Sequence, residues 1–146
     1  MNLLKNLISI SILGAFLSLS SCDKEKLVPA QEFPSEIETY VSEHFPSNKI
    51  IQVVEDQDGL SKTYDVILDG NINLEFNNKM EIIEIDANNQ LPESVIPDKI
   101  KTYVNENFPN NTITDWKIDD KNQEIKLDSG LEIKFSMEGD LIRIDN

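Results

Sequence analysis

The chain has one cysteine, one histidine, one tryptophan and five glycines in 146 residues, and each scarcity removes a class of chemistry. With Cys22 alone, no intramolecular disulfide can form. One histidine and one cysteine fall short of a zinc site, which draws its ligands chiefly from those residue types. A Ser-His-Asp triad would have to use His44. No glycine has the spacing of a phosphate-cradling loop. Cations are scarce too: 13 Lys and Arg stand against 27 Asp and Glu, for a formal charge of −14. Such a surface repels nucleic acid and anionic headgroups but tolerates cationic or neutral partners.

What is present begins with an apolar run from Leu7 to Leu19. It follows Lys5 and closes on Leu19-Ser20-Ser21-Cys22. This is a secretory signal pattern, too short and wrongly flanked for a spanning helix. The Leu-Ser-Ser-Cys ending resembles the bacterial lipobox, whose cysteine is lipidated and becomes the new N-terminus. Residues 1–22 are therefore expected to be a lipoprotein signal peptide, with the mature protein anchored to a membrane through acyl chains on Cys22. Each buried CH₂ of those chains contributes about 0.8 kcal/mol. An ordinary signal peptide with an incidental cysteine is the alternative. Asp23 to Glu32, DKEKLVPAQE, is polar and aperiodic, which predicts a flexible tether reaching at most about 35 Å. The rest has the length of one ordinary domain.

That domain is written twice. Phe33-Pro-Ser-Glu-Ile-Glu-Thr-Tyr-Val aligns without a gap on Ile96-Pro-Asp-Lys-Ile-Lys-Thr-Tyr-Val, Leu74-Glu75-Phe76 on Ile133-Lys134-Phe135, and EIIEID (Glu81 to Asp86) on DLIRID (Asp140 to Asp145). The offset falls from 63 to 59 residues because EDQDGLSKT in the first copy shortens to DDKNQ in the second. The expected units are 33–90 and 91–146. Each opens on a helix. Proline suits its start, and Ser35, Glu36 and Asp98 place oxygen acceptors or negative charge at the positive helix end. Ile37, Tyr40, Val41 and Phe45, like Ile100, Tyr103, Val104 and Phe108, form one apolar stripe. Pro46 and Pro109 stop it.

Four β-rich segments follow each helix. Asp69-Gly70-Asn71 and Asp128-Ser129-Gly130 supply hairpin turns. One side of each strand is apolar. The other carries Asp65, Asn73, Glu75 and Glu84 in the first unit and Lys126, Glu132, Lys134 and Arg143 in the second. The expected fold class is α+β: two tandem helix-plus-four-strand units forming one curved antiparallel sheet, with helices on one face and water on the other.

These residues carry a resemblance. The pattern of apolar-Pro, Ile, Tyr-Val and Phe-Pro, then apolar-Glu/Lys-Phe and a closing strand, resembles the PepSY-like family of secreted Bacteroidetes proteins. These are also called beta-lactamase-inhibitor-like. The resemblance covers about Phe33 to Asp145, with Met80 standing where the second copy has Gly139. It implies a fold similar to beta-lactamase inhibitory protein. It brings no established catalytic residue.

Other chemistry is thinly supported. His44 sits beside a helix end and its counterpart is Asn107, an exchange suited to a helix C-terminus. Glu55 to Gly59, EDQDG, lacks an acid at Val54 and has Asp65 where an EF-hand needs glutamate, so it reads as a turn, with adventitious calcium binding the alternative. Trp116 is a binding anchor if it faces the open side. Alternation along ITDWKID groups it with Thr114 and Ile118, against Ile113, Asp115 and Lys117, which places it in the core. The expected function is that of a non-enzymatic envelope lipoprotein without cofactor or metal. It is lipid-anchored at the outer membrane and binds a protein partner, such as an enzyme it restrains. The candidate interaction surface is Asp65, Glu75, Glu84, Trp116, Lys126, Lys134 and Arg143. A carbohydrate- or small-ligand-binding lipoprotein of an uptake system and a structural envelope lipoprotein are the rival readings.

Overall fold

The computed structural model describes residues 23–145. Cys22 and the leader lie outside the described residues. A first strand, β1 (Asp23–Leu27), and a 3₁₀ turn (Ala30–Glu32) precede α1 (Ser35–His44), β2 (Ile50–Asp58), β3 (Ser61–Leu68), β4 (Ile72–Asn77) and β5 (Ile82–Ala87). A second 3₁₀ turn (Glu93–Val95) leads into α2 (Asp98–Asn107), β6 (Ile113–Asp119), β7 (Asn122–Leu127), β8 (Glu132–Ser136) and β9 (Leu141–Asp145). All nine strands form one open antiparallel sheet in chain order, so each hydrogen-bonds to its sequence neighbours and the fold is α+β.

Alternation builds the core. Tyr64, Val66 and Leu68 of β3 are buried, as are Leu74 and Phe76 of β4, Ile125 and Leu127 of β7, and Ile133 and Phe135 of β8. Ile37 and Val41 of α1, with Ile100 and Val104 of α2, join the same continuous cluster. Tyr40 meets Phe76 edge-on at 5.3 Å between ring centroids, and Tyr103 meets Phe135 in the same way at the same distance. Aromatic pairs favour this geometry because ring edges are positive and faces negative.

Both helices end alike. Phe45 leaves the helical region at φ −128° while its N–H still bonds Val41 O at 2.8 Å; Phe108 does the same to Val104 O at 2.7 Å. The next turn is then tied to a distant hairpin. Asn48 Nδ2 donates to Asp69 O and the Lys49 N–H to Asp69 Oδ1, both at 2.9 Å. Asn111 Nδ2 and the Thr112 N–H donate to Asp128 Oδ1 in the second half. At the helix starts, no side-chain cap forms at Pro34 or Pro97. Glu36, Glu38 and Asp98 contribute charge to the first turns instead.

Two expectations need correction. The stretch predicted as a tether is ordered: Asp23–Leu27 pairs along β2 from Asp58 to Val54, and Val28 is buried. Its charged side chains concealed a strand whose order comes from backbone pairing. Strict alternation also fails in β6. Ile113 faces Leu127 and Asp115 faces Lys126, so Thr114 is an extra, bulged residue. The bulge puts Ile113 and Trp116 on the same side, both buried. β2 carries the same device, with Ile50 facing Leu68, Gln52 facing Ile67, and Ile51 left 62% exposed.

Candidate binding face

Cross-strand register assembles the polar side of the sheet into rows. One row crosses every strand: Leu27, Val54, Asp65, Glu75, Glu84, Lys117, Glu124, Lys134 and Arg143 stand opposite one another in succession. Beside it runs Gln52, Ile67, Asn73, Asp86, Asp115, Lys126, Glu132 and Asp145. The expected surface residues Asp65, Glu75, Glu84, Lys126, Lys134 and Arg143 all fall in these two rows. Trp116 does not. It lies on the core side, and its indole N–H donates to Gln123 Oε1 at 3.0 Å. On the core side the ring has apolar contact and its N–H a polar partner.

The two halves of the face differ in charge balance. In the second half, Lys134 stands opposite Arg143 and Glu132 opposite Asp145, but most of the charges in the first row are held in ion pairs. Lys117 Nζ lies 2.9 Å from Glu124 Oε1, Lys134 Nζ bridges Asp119 at 2.5 Å and Glu124 at 3.6 Å, and Arg143 binds Asp145. These contacts hold Lys134 above the ordinary lysine range, and the Lys134 hydrogen bond holds Asp119 below the usual carboxylate range.

In the first half, Asp65, Glu75 and Glu84 stand side by side. Among the described residues no cation lies within salt-bridge distance of them. Like charges directly opposed on a sheet are destabilising. Partial burial pushes the Asp65 carboxyl up, and the neighbouring Asp56 and Glu25 add to the effect. Glu75 is raised by burial, then by Asp65 and Glu84. Asp115 is raised by burial, with Asp86 contributing. Asp56 Oδ1 is buried without a hydrogen-bond partner. Asp65, Ile67, Asn73, Glu75, Glu84 and Asp86 line a shallow depression of about 260 Å³. Its rim is carboxylate, and Ile67, 38% exposed, supplies apolar surface. The arrangement suits a group that is cationic at its tip and apolar along its stem.

The sequence reading did not include Ile67, Asp86, Lys117 and Glu124 in the candidate surface. The repeat held the signal. Glu75 and Glu84 occupy the places of Lys134 and Arg143, and Ile67 that of Lys126. Only the β5–β6 pairing, which joins the halves, turns those substitutions into a continuous row.

The remaining candidates sit elsewhere. His44 Nδ1 lies 2.9 Å from Ser94 Oγ and its ring is 4.5 Å from that of Tyr40, so it ties α1 to the turn between the halves. Glu55 to Gly59 forms the end of β2 and its hairpin, with Gly59 at φ +59°. Among the described residues no group of three or more His, Cys, Asp or Glu is placed to hold a metal ion, and no helix is long and apolar enough to cross a membrane.

A family model described as "Putative beta-lactamase-inhibitor-like, PepSY-like" matches residues 19–84 and again 62–143. No curated protein matches the chain. Several solved structures do. A protein from Bacteroides vulgatus, described as a "putative periplasmic protein" of the DUF2874 family, is 35% identical, with 86% of this chain and 99% of that one covered and a TM-score of 0.79. A protein from Bacteroides thetaiotaomicron, described as a "putative calcium-regulated periplasmic protein", is 30% identical over 84% of this chain and 97% of its own, also at 0.79. A third, from Bacteroides vulgatus and described as a "putative periplasmic protein of unknown function", is 27% identical over 84% and 100%, at 0.78.

Proposed function

The chain belongs to the PepSY-like family, and from that premise we propose that it is a non-enzymatic envelope lipoprotein that binds a protein partner through the polar face of its sheet. The observation that carries this reading is the row Asp65-Glu75-Glu84, three carboxylates opposed in register with no cation within salt-bridge distance among the described residues; Lys117, opposite Glu84, is engaged by Glu124. A surface that leaves three like charges in a row outside any ion pair in one half, while ion pairs hold the corresponding row in the other, is suited to a partner that brings the missing charge. A Lys or Arg side chain entering the depression would lay its stem on Ile67 and its head among Asp65, Glu75 and Glu84. The family's inhibitor-like description favours an enzyme as that partner, on the ground of fold. The periplasmic descriptions of the relatives and the lipobox favour attachment at Cys22 to the outer membrane. With β1 starting at Asp23, a lipidated Cys22 would hold the sheet's first edge close to the bilayer. A carbohydrate site would call for exposed aromatic platforms, and Trp116 and Tyr64 are both buried.

The test is differential capture. Residues 23–146 are immobilised and exposed to envelope and secreted fractions of the source cells. They run beside a triple variant, Asp65→Asn, Glu75→Gln and Glu84→Gln, and a helix control, Glu36→Gln and Glu38→Gln. The expected result is a protein held by wild type and by the helix control, lost from the triple variant, and released by salt. Equal capture by all three baits would overturn the assignment of the face.

A further inference from the structure

The two ends of the sheet are finished differently. At one end the outer strand is β1, whose Lys24, Glu25 and Lys26 carry charges of alternating sign; charged edge strands discourage pairing with other chains. At the other end β9 pairs with β8 alone among the described residues. There Leu141, Ile142 and Ile144 are 45%, 50% and 44% exposed.

The internal repeat shows what this edge looks like when covered. Ile85 in β5 holds the place that Ile144 holds in β9. It is 0% exposed, because β6 runs alongside and sets Trp116 opposite it. The same position is thus core in one half and bare in the other, and the difference is one neighbouring strand.

We infer that β9 pairs antiparallel with β9 of a second copy, about a two-fold axis at Ile144. Register decides this. A pairing that puts a residue's own copy opposite it keeps apolar side chains on one face and polar ones on the other, whereas a half-step shift mixes the faces. Centring on Arg143 opposes two arginines, and centring on Asp145 opposes two aspartates. Centring on Ile144 sets Ile144 against the partner's Ile144, and places Arg143 opposite the partner's Asp145 on both sides of the axis. Arg143 already pairs with its own Asp145 at 2.5 Å, so the two charges that would exchange across the axis are matched in kind.

Head-to-tail growth is disfavoured, because the edge of β2 that corresponds to the one β6 offers β5 is occupied by β1. A two-fold pairing closes at two copies, where a head-to-tail contact would run on as a filament. The contact is confined to one five-residue strand, shorter than stable interfaces need, so the dimer is a weak one.

Sedimentation equilibrium on residues 23–146 tests this. That part folds on its own: it contains the whole sheet and a continuous core, and relatives matched over 97–100% of their length are solved structures. From about 1 μM to about 1 mM, the wild type should pass from monomer to dimer. Ile144→Lys should remain monomeric. Arg143→Asp alone should weaken the dimer at least about tenfold, and adding Asp145→Arg should restore it. Far-UV circular dichroism checks that each variant is folded. Because the charge swap touches no core residue, Arg143 being exposed and Asp145 half-buried, it decides the matter even if Ile144→Lys is unstable. A wild type that stays monomeric throughout, or a dimer indifferent to both Ile144→Lys and the charge reversal, overturns the inference.

Discussion

At the residue scale, the second half replaces one pair of core residues by another of different chemistry. Val53 and Tyr64 in the first half correspond to Trp116 and Gln123 in the second. The tryptophan brings a buried N–H, and Gln123, 3% exposed, answers it. The same amide donates through Nε2 to Ser136 O at 3.2 Å and Met137 O at 3.1 Å, so one glutamine joins β6, β7 and the end of β8. Trp116→Phe leaves Gln123 Oε1 buried without a donor and vacates part of the ring's volume. The expected loss is about 1–3 kcal/mol, read as a lower urea midpoint at unchanged slope. An unchanged midpoint would contradict the role given to this pair. Alternation groups Trp116 with the core, where it lies, although the candidate surface also included it, and the grouping is incomplete. Alternation alone sets Trp116 against Ile113, yet both are buried, because a bulge at Thr114 cannot be told from regular strand by side-chain pattern.

At the scale of elements, what was legible came from repetition and periodicity. Phe-Pro twice, Tyr-Val twice and two alternating hairpins define α1, β3, β4, α2, β7 and β8, because each buries a stripe or a face of its own. What was illegible depends on partners distant in sequence. β1 buries only the residue that follows it, Val28. Its order comes from pairing with β2 across the chain, so no window of its own sequence announces a strand. The Asn48–Asp69 and Asn111–Asp128 ties were hidden for the same reason, although Asn two residues after the helix-ending proline and Asp at the hairpin occur in both copies. Removing residues 23–27 should therefore free the outer edge of β2 and leave the core in place. Hydrogen exchange should show β2 amides losing protection while those of β7 and β8 keep theirs. Uniform loss across the sheet would mean that β1 is part of the global folding unit. No change would mean that it does not hold the edge in solution.

For the whole molecule, charge arrangement outweighs charge total. A formal charge of −14 alone suggests only solubility. The fold sorts it into one half of the face whose first row is largely held in ion pairs and another with three carboxylates in a row held in none. This has a signature in pH. Asp65, Glu75 and Asp115 have carboxyls raised in the folded state, chiefly by burial. A raised carboxyl binds protons more readily folded than unfolded, so stability should rise as pH falls from neutrality toward the ordinary carboxylate range near 4. Glu55 is lowered by its hydrogen bond from Lys62, Asp119 by that from Lys134 and Asp128 by that from Asn111. Their contribution is complete above the ordinary value and is lost as pH falls through the folded one. The expected thermal-denaturation profile is a dome with its maximum on the acid side of neutral. Replacing Glu75 by Gln should flatten its neutral limb by raising Tm there. A Tm that falls steadily from pH 8 downward would show that the carboxylate row carries no strain.

The account's central claim is that the partner meets the polar face of the sheet. A photo-activated cross-linking residue placed at Ile67, and in a second variant at the exposed Glu38 of α1, tests it directly in cells making the full-length protein. The prediction is an adduct of one defined mass from position 67 on illumination, and none from position 38. Adducts from position 38 alone, or none from position 67 in cells where the wild-type domain captures a protein, would contradict it and move the interface off the carboxylate row.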